Sequence, residues 1–198
     1  MRKGKPSRKV LERTKLFHTD SVICGLSALA LKTNAPTVLR NEALSLIGAK
    51  GVHKGFSKVL GSSKQVIAEK AILANSSAVR EWDSNGTVFG INPNLKGHQA
   101  GEFGHNDFYP VAISACQQSK KLTGYHALKA MVLSDEIRGR LAEVFSLKTY
   151  KIDHVVHGGI ASIATYGALL GATARQIESA IGMYCAHYIP FRAIRAGK

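Results

Sequence analysis

The chain has 198 residues, 45% of them apolar and 7% aromatic, and its 27 basic and 13 acidic side chains leave a net charge of +14. That length suits one domain or a large piece of one, and the apolar share excludes a disordered chain. The longest apolar run, from Val22 to Leu31, is about half the ~20 residues a bilayer helix needs, so no membrane partner is expected.

The charge is concentrated at the ends. Seven basic residues among the first fifteen face Glu12 alone, and Arg192, Arg195 and Lys198 close the chain. Residues 1–13 therefore read as a basic, solvated tail. A nucleic-acid partner is not expected, because basic and aromatic residues are not interleaved on one element. Cys24, Cys116 and Cys185 are far apart and form no C-x-x-C pair, so neither a zinc site nor a disulfide framework is indicated. Cys24 and Cys185 lie in apolar helical stretches and read as buried thiols.

In chain order, Val22, Leu26 and Leu29 recur at helical spacing, and Lys32-Thr33-Asn34-Ala35-Pro36 stops that helix. A second helix is predicted from Pro36 to about Ile47, with a glycine-rich stretch behind it as far as Gly61. Ser62-x-x-Gln65 reads as a capping box that opens a helix whose stripe is Ile67, Ala71, Ala74, Ala78 and Trp82. Small residues dominate that stripe, so close packing on a neighbour is expected, and Asn85-Gly86 ends it.

Pro110 opens a helix to about Thr123. After Gly124 comes a stripe of Ala130, Leu133, Ile137, Leu141 and Val144. Residues 147–153 read as a linker. Ile160, Ala164, Gly167 and Gly171 mark a tightly packed helix. Thr173-x-x-Gln176 is a second capping box, leading into Ile177, Ile181 and Tyr184. Alternating period-2 runs are short, so the fold class is all-α.

Residues 83–110 carry no periodicity and are rich in Gly, Asn, His and Asp. So long a loop in a helical chain is usually functional. It brings carboxylates, a hydroxyl and an imidazole into one segment, the groups needed to take a proton from carbon and to protonate a leaving oxygen. Asp83 also reads as a residue that caps the turn after its helix, and His105 as an ordinary loop histidine. Spacing alone leaves both pairs of readings open.

The wording of these segments is distinctive. Arg80-Glu81-Trp82-Asp83-Ser84-Asn85-Gly86-Thr87 is followed by Gly101-Glu102-Phe103-Gly104-His105-Asn106-Asp107-Phe108-Tyr109-Pro110. Later come Asp135-Glu136-Ile137-Arg138-Gly139-Arg140-Leu141, Ile152-Asp153-His154-Val155-Val156 and His187-Tyr188-Ile189-Pro190-Phe191-Arg192. Together these strings, spread over residues 14–198, resemble the MmgE/PrpD family, and within it the branch that dehydrates 2-methylcitrate.

The resemblance implies an all-α helical domain, here as a partial domain over 14–198 with its active-site loop at 83–110 and without the family's α+β lid domain. It implies a lyase that removes water from 2-methylcitrate in propionate breakdown, with no metal and no organic cofactor. A small tricarboxylate is the expected partner and a homodimer the expected assembly. The mitochondrion is the expected location, with the cytoplasm as the alternative. Asp83 and His105 match the positions that transfer protons, the assignment of base and acid being open between them. Thr87 and His154 match positions that bind carboxylate or hydroxyl groups.

Family members are more than twice this long, so the chain reads as a truncated form with little or no activity alone. Two alternatives stand beside this: a non-catalytic fragment that pairs with a full-length homologue, and decarboxylation of cis-aconitate. A metal pair at His154 and His157 is weakly indicated without a third ligand. Arg138 and Arg140 read as steering an anionic substrate, or Arg140 as the solvated i,i+4 partner of Glu136.

Overall fold

The computed structural model describes residues 4–48, 51–84, 86–89, 94, 102–144 and 146–193. Two compact units divide the chain, one built from Arg2–Asn85 and His105–Met131 and the other chiefly from Gly86–Gly104 and Val132–Lys198.

The first unit opens with α1 (Arg8–Ala30), whose start is capped by Ser7, its Oγ accepting from the Val10 N–H at 3.3 Å. The helix thus takes in Arg8–Arg13 from the stretch expected as tail. Lys32, at φ +53°, turns the chain into α2 (Asn34–Ser45). Its N–H closes on the Leu29 carbonyl, and the Thr33 N–H and hydroxyl both reach Ala28 O. Two of the last carbonyls of α1 are thereby satisfied.

The expected Ser62/Gln65 capping box does not form. Ser62 Oγ accepts from the Lys64 N–H instead, and Gln65–Ile67 is a strand, β2, paired antiparallel with β1 (Phe56–Lys58). Ser57 faces Val66 across this pair and both are fully buried, so burial against a partner about ten residues back outweighs the local capping pattern. Helix α3 (Ala68–Arg80) therefore starts later than predicted. Ala71, Ala74 and Ala78 are buried as expected, whereas Ile67 lies on the strand and Trp82 stands 41% exposed past the helix end.

This small-residue face lets α1, α2 and α4 (Tyr109–Gln117) pack directly on α3. Pro110 sits in the first turn of α4, where its missing N–H costs nothing. Ala43, Val59, Val66, Ala71 and Ala74 form the centre of this unit's core.

Two further strands, β3 (Gly86–Phe89) and β4 (Glu102–His105), form a two-stranded sheet within the segment expected to be a structureless loop. Asn85, the expected helix stop, lies outside the described residues, and Gly86 is the first residue of β3.

α5 (Gly124–Val144) buries Ala127, Ala130, Met131, Ser134, Arg138 and Ala142, a face rotated from the predicted stripe, and leaves Val144 72% exposed. Residues 147–150 form a 3-10 turn, and Ile152 bridges to Phe191.

α6 (Val155–Leu170) ends at Gly171 with φ +82°, the left-handed C-terminal position that glycine takes without steric cost. α7 (Ala174–His187) carries the predicted capping box. Thr173 Oγ1 accepts from Gln176 N–H, and Gln176 Oε1 accepts from the Thr173 N–H at 2.8 Å. α7 packs on α6 through Tyr184 over Gly159 and Ile177 beside Gly167. The thiols also depart from expectation. Cys185 is exposed and Cys24 only half-buried; Cys116, for which nothing was expected, is half-buried too, and burial pushes its pKa up to about 11.

Among the described residues no single helix is long and apolar enough to cross a membrane.

Candidate active site

Asp83 follows α3 by three residues. Its backbone is left-handed, at φ +51°, a conformation aspartate tolerates better than most residues. Its N–H donates to the Arg80 carbonyl at 3.0 Å, which closes the helix end. The side chain is 63% exposed and accepts from Arg80 Nη1.

The same guanidinium places Nε 3.8 Å from Asp107 Oδ2, and Asp107 is 17% exposed. Arg80 is thus a cation shared by two carboxylates, one at each border of the segment 84–106. Asp107 is held in turn by its neighbours. Asn106 is fully buried, and its Nδ2 donates to the Phe17 carbonyl at 2.7 Å; Tyr109 packs edge-on against the Phe17 and His18 rings.

His105 ends β4 and belongs to the same unit as Asp83. Its side chain lies outside the described residues. The turn reading of Asp83 therefore holds at the backbone, while its carboxylate remains solvent-facing.

Thr87 and His154 belong to the other unit. Thr87 is on β3 and exposed. His154 stands at the start of α6 with an 11% exposed side chain, and its Nδ1 lies 3.4 Å from Oδ1 of Asp153, which is 1% exposed. Asp153 is anchored twice: Oδ1 accepts from the Val155 N–H at 3.1 Å, and its own N–H donates to the Pro190 carbonyl at 2.9 Å. A carboxylate beside Nδ1 favours a proton there, which turns Nε2 into the acceptor face of the ring. His154 is therefore oriented by a buried anion, beyond being a helix-start residue in packing contact.

Arg80, Asp107 and Asp153 carry no role in the sequence reading. Only Arg80 had a local signal, its i,i+3 spacing from Asp83 across the end of a helix. Arg138 is not a steering group. It is 4% exposed and paired with Asp135 at 3.3 Å, whereas Arg140 makes solvated pairs with Glu136 at 2.9 Å and Glu143 at 3.1 Å. Among the described residues no three His, Cys, Asp or Glu side chains cluster as metal ligands.

These placements fall on a chain that matches the family model "MmgE/PrpD N-terminal domain" over residues 2–198, nearly its whole length, and the chain accordingly belongs to the MmgE/PrpD family.

Proposed function

We propose that the chain is the helical domain of a hydro-lyase that removes water from 2-methylcitrate. The observation that supports this best is Asp83 itself, a solvent-facing carboxylate on a left-handed residue, tethered by an arginine it shares with Asp107. Family membership supports the same chemistry.

In the reaction a base takes the proton from the carbon beside the carbinol. The C–H electron pair becomes the new C=C bond, and the hydroxyl on the neighbouring carbon leaves as water with a proton from an acid. Asp83 and His105 divide the roles of base and acid. Thr87 and His154 bind carboxylate or hydroxyl groups of the tricarboxylate, and Asp153 fixes the ring of His154. The same reading puts the enzyme in propionate breakdown, as a homodimer in the mitochondrion.

The test is direct. Purified chain is incubated with 2-methylcitrate, the ultraviolet absorbance of the conjugated enoate is followed, and the product is identified by mass spectrometry. Turnover by this chain alone is expected to be slow, and Asp83→Asn and His105→Gln are each expected to lower it further, toward the loss of about 10²–10⁴-fold that one acid–base group commands. Turnover that both variants retain in full removes these residues from the chemistry. Carbon dioxide release from cis-aconitate without any dehydration replaces the reaction assignment by a decarboxylase.

A further inference from the structure

Where α1 turns into α2, a groove of about 450 Å³ opens on the first unit, a volume in the range of small-molecule sites. One wall is aliphatic, made by Leu26, Leu29 and Leu60, with Leu26 44% exposed. The other carries Lys32, Thr37 and Arg40.

Three features of that second wall point to an anion. Arg40 donates from Nε to the Leu60 carbonyl at 3.0 Å and from Nη2 to the Gly61 carbonyl at 3.2 Å, which holds the guanidinium in place without neutralising it. Thr37 Oγ1 is buried and has no hydrogen-bond partner, a costly state for a hydroxyl that a turn of this side chain toward the groove it lines and onto a bound acceptor would relieve. Lys32 projects from a left-handed residue at the rim, and no acidic side chain lines the groove among the described residues. The closest acidic residue along α2, Glu42, is engaged by Lys70 at 2.7 Å.

We propose that this groove binds an organic carboxylate with a short apolar tail, independently of the dehydratase site. The tail lies along the leucines, and the head meets Arg40, Lys32 and the Thr37 hydroxyl. Two of the Arg40 donor atoms already serve carbonyls, so the free Nη1 with one hydroxyl and one ammonium matches a two-oxygen head.

The test is a titration of the whole chain with butyrate, hexanoate and octanoate, followed by calorimetry and by methyl NMR of Leu26, Leu29 and Thr37. Each added methylene is expected to tighten binding about fourfold until the groove is filled. Octanol is expected to bind at least tenfold more weakly than octanoate, and inorganic phosphate to leave the methyl signals unmoved. Lys32→Asn, which keeps a residue tolerant of left-handed backbone, and Thr37→Val are each expected to weaken octanoate several-fold without loss of the fold.

Octanol equal to octanoate, octyl phosphate tighter than octanoate, unchanged methyl signals, or unchanged affinity in both variants each overturns the proposal. None of these readings depends on turnover of 2-methylcitrate, so the two conclusions stand or fall separately.

Discussion

Arg80 spends one guanidinium on two carboxylates, and the pair it makes with Asp107 links residues 27 positions apart in sequence. A charged group held by two partners fixes both, and misplacing a reacting group by about 1 Å can cost about 10²-fold in rate. Arg80→Met is therefore expected to lower dehydratase turnover by about that factor with a smaller change in KM. Arg80→Lys, which retains the charge, is expected to recover part of it; steady-state kinetics of the two variants against their melting temperatures checks this. His18 offers a second prediction. Burial holds its pKa below the ordinary 6.5, so the unfolded chain takes up this proton first as the pH falls. Stability is then complete above about 6.5 and declines as the pH drops toward the lowered folded value. Denaturant unfolding between pH 7 and 5 is expected to show that slope, and His18→Gln to flatten it. At this scale the candidate residues were legible because their types and neighbours are unusual, as at Asp83, Thr87, His105 and His154. Their partners were not, because Asp107 and Asp153 acquire meaning only from what stands beside them.

At the scale of elements, local signals succeeded where the interaction is itself local. The capping box at Thr173 satisfies two backbone groups within one turn, and Thr173→Ala is expected to cost about 1 kcal/mol, read by chemical denaturation. The α6–α7 contact is closer than any local pattern requires. A Cβ at Gly159 would run into the Tyr184 ring, so Gly159→Ala is expected to destabilise by about 1–3 kcal/mol, whereas Gly182→Ala, which meets nothing within 4 Å, is expected to be tolerated. The same comparison explains the failed capping box at Ser62. Its pattern was correct in letters, but β1 lay waiting about ten residues upstream, and pairing with it buried Val66 and Ser57 together. On α5 the buried face, Ala127, Ala130, Met131, Ser134, Arg138 and Ala142, shares only Ala130 with the predicted stripe and mixes small side chains with Met131 and a paired Arg138, so the neighbours it packs on, and not apolar spacing alone, set the face.

At the scale of the whole molecule, the surplus charge and the exposed apolar residues are the features that bear on assembly. α7 has no buried residue, and Met183 and Tyr188 are 64% and 68% exposed; on α1, Leu16 and Ile23 are 64% and 61% exposed, two turns apart on one side. Apolar surface of this kind marks association faces. Sedimentation equilibrium is expected to show a mass that rises above 21.3 kDa with concentration, and Met183→Lys or Ile23→Lys to reduce that rise. A single 21.3 kDa species at every concentration would remove the homodimer from the proposed function. What the sequence by itself determined is the helical make-up, the second capping box, the family and the residue types of the candidate site. Each of these rests on energies within a turn or on strings of adjacent letters. Only the tertiary structure decided that 65–67 pairs as a strand, that Arg80 is shared by Asp83 and Asp107, and that a buried Asp153 backs His154. Those choices depend on which groups burial brings together, and a carboxylate beside a cation or an imidazole is worth most where water has been excluded.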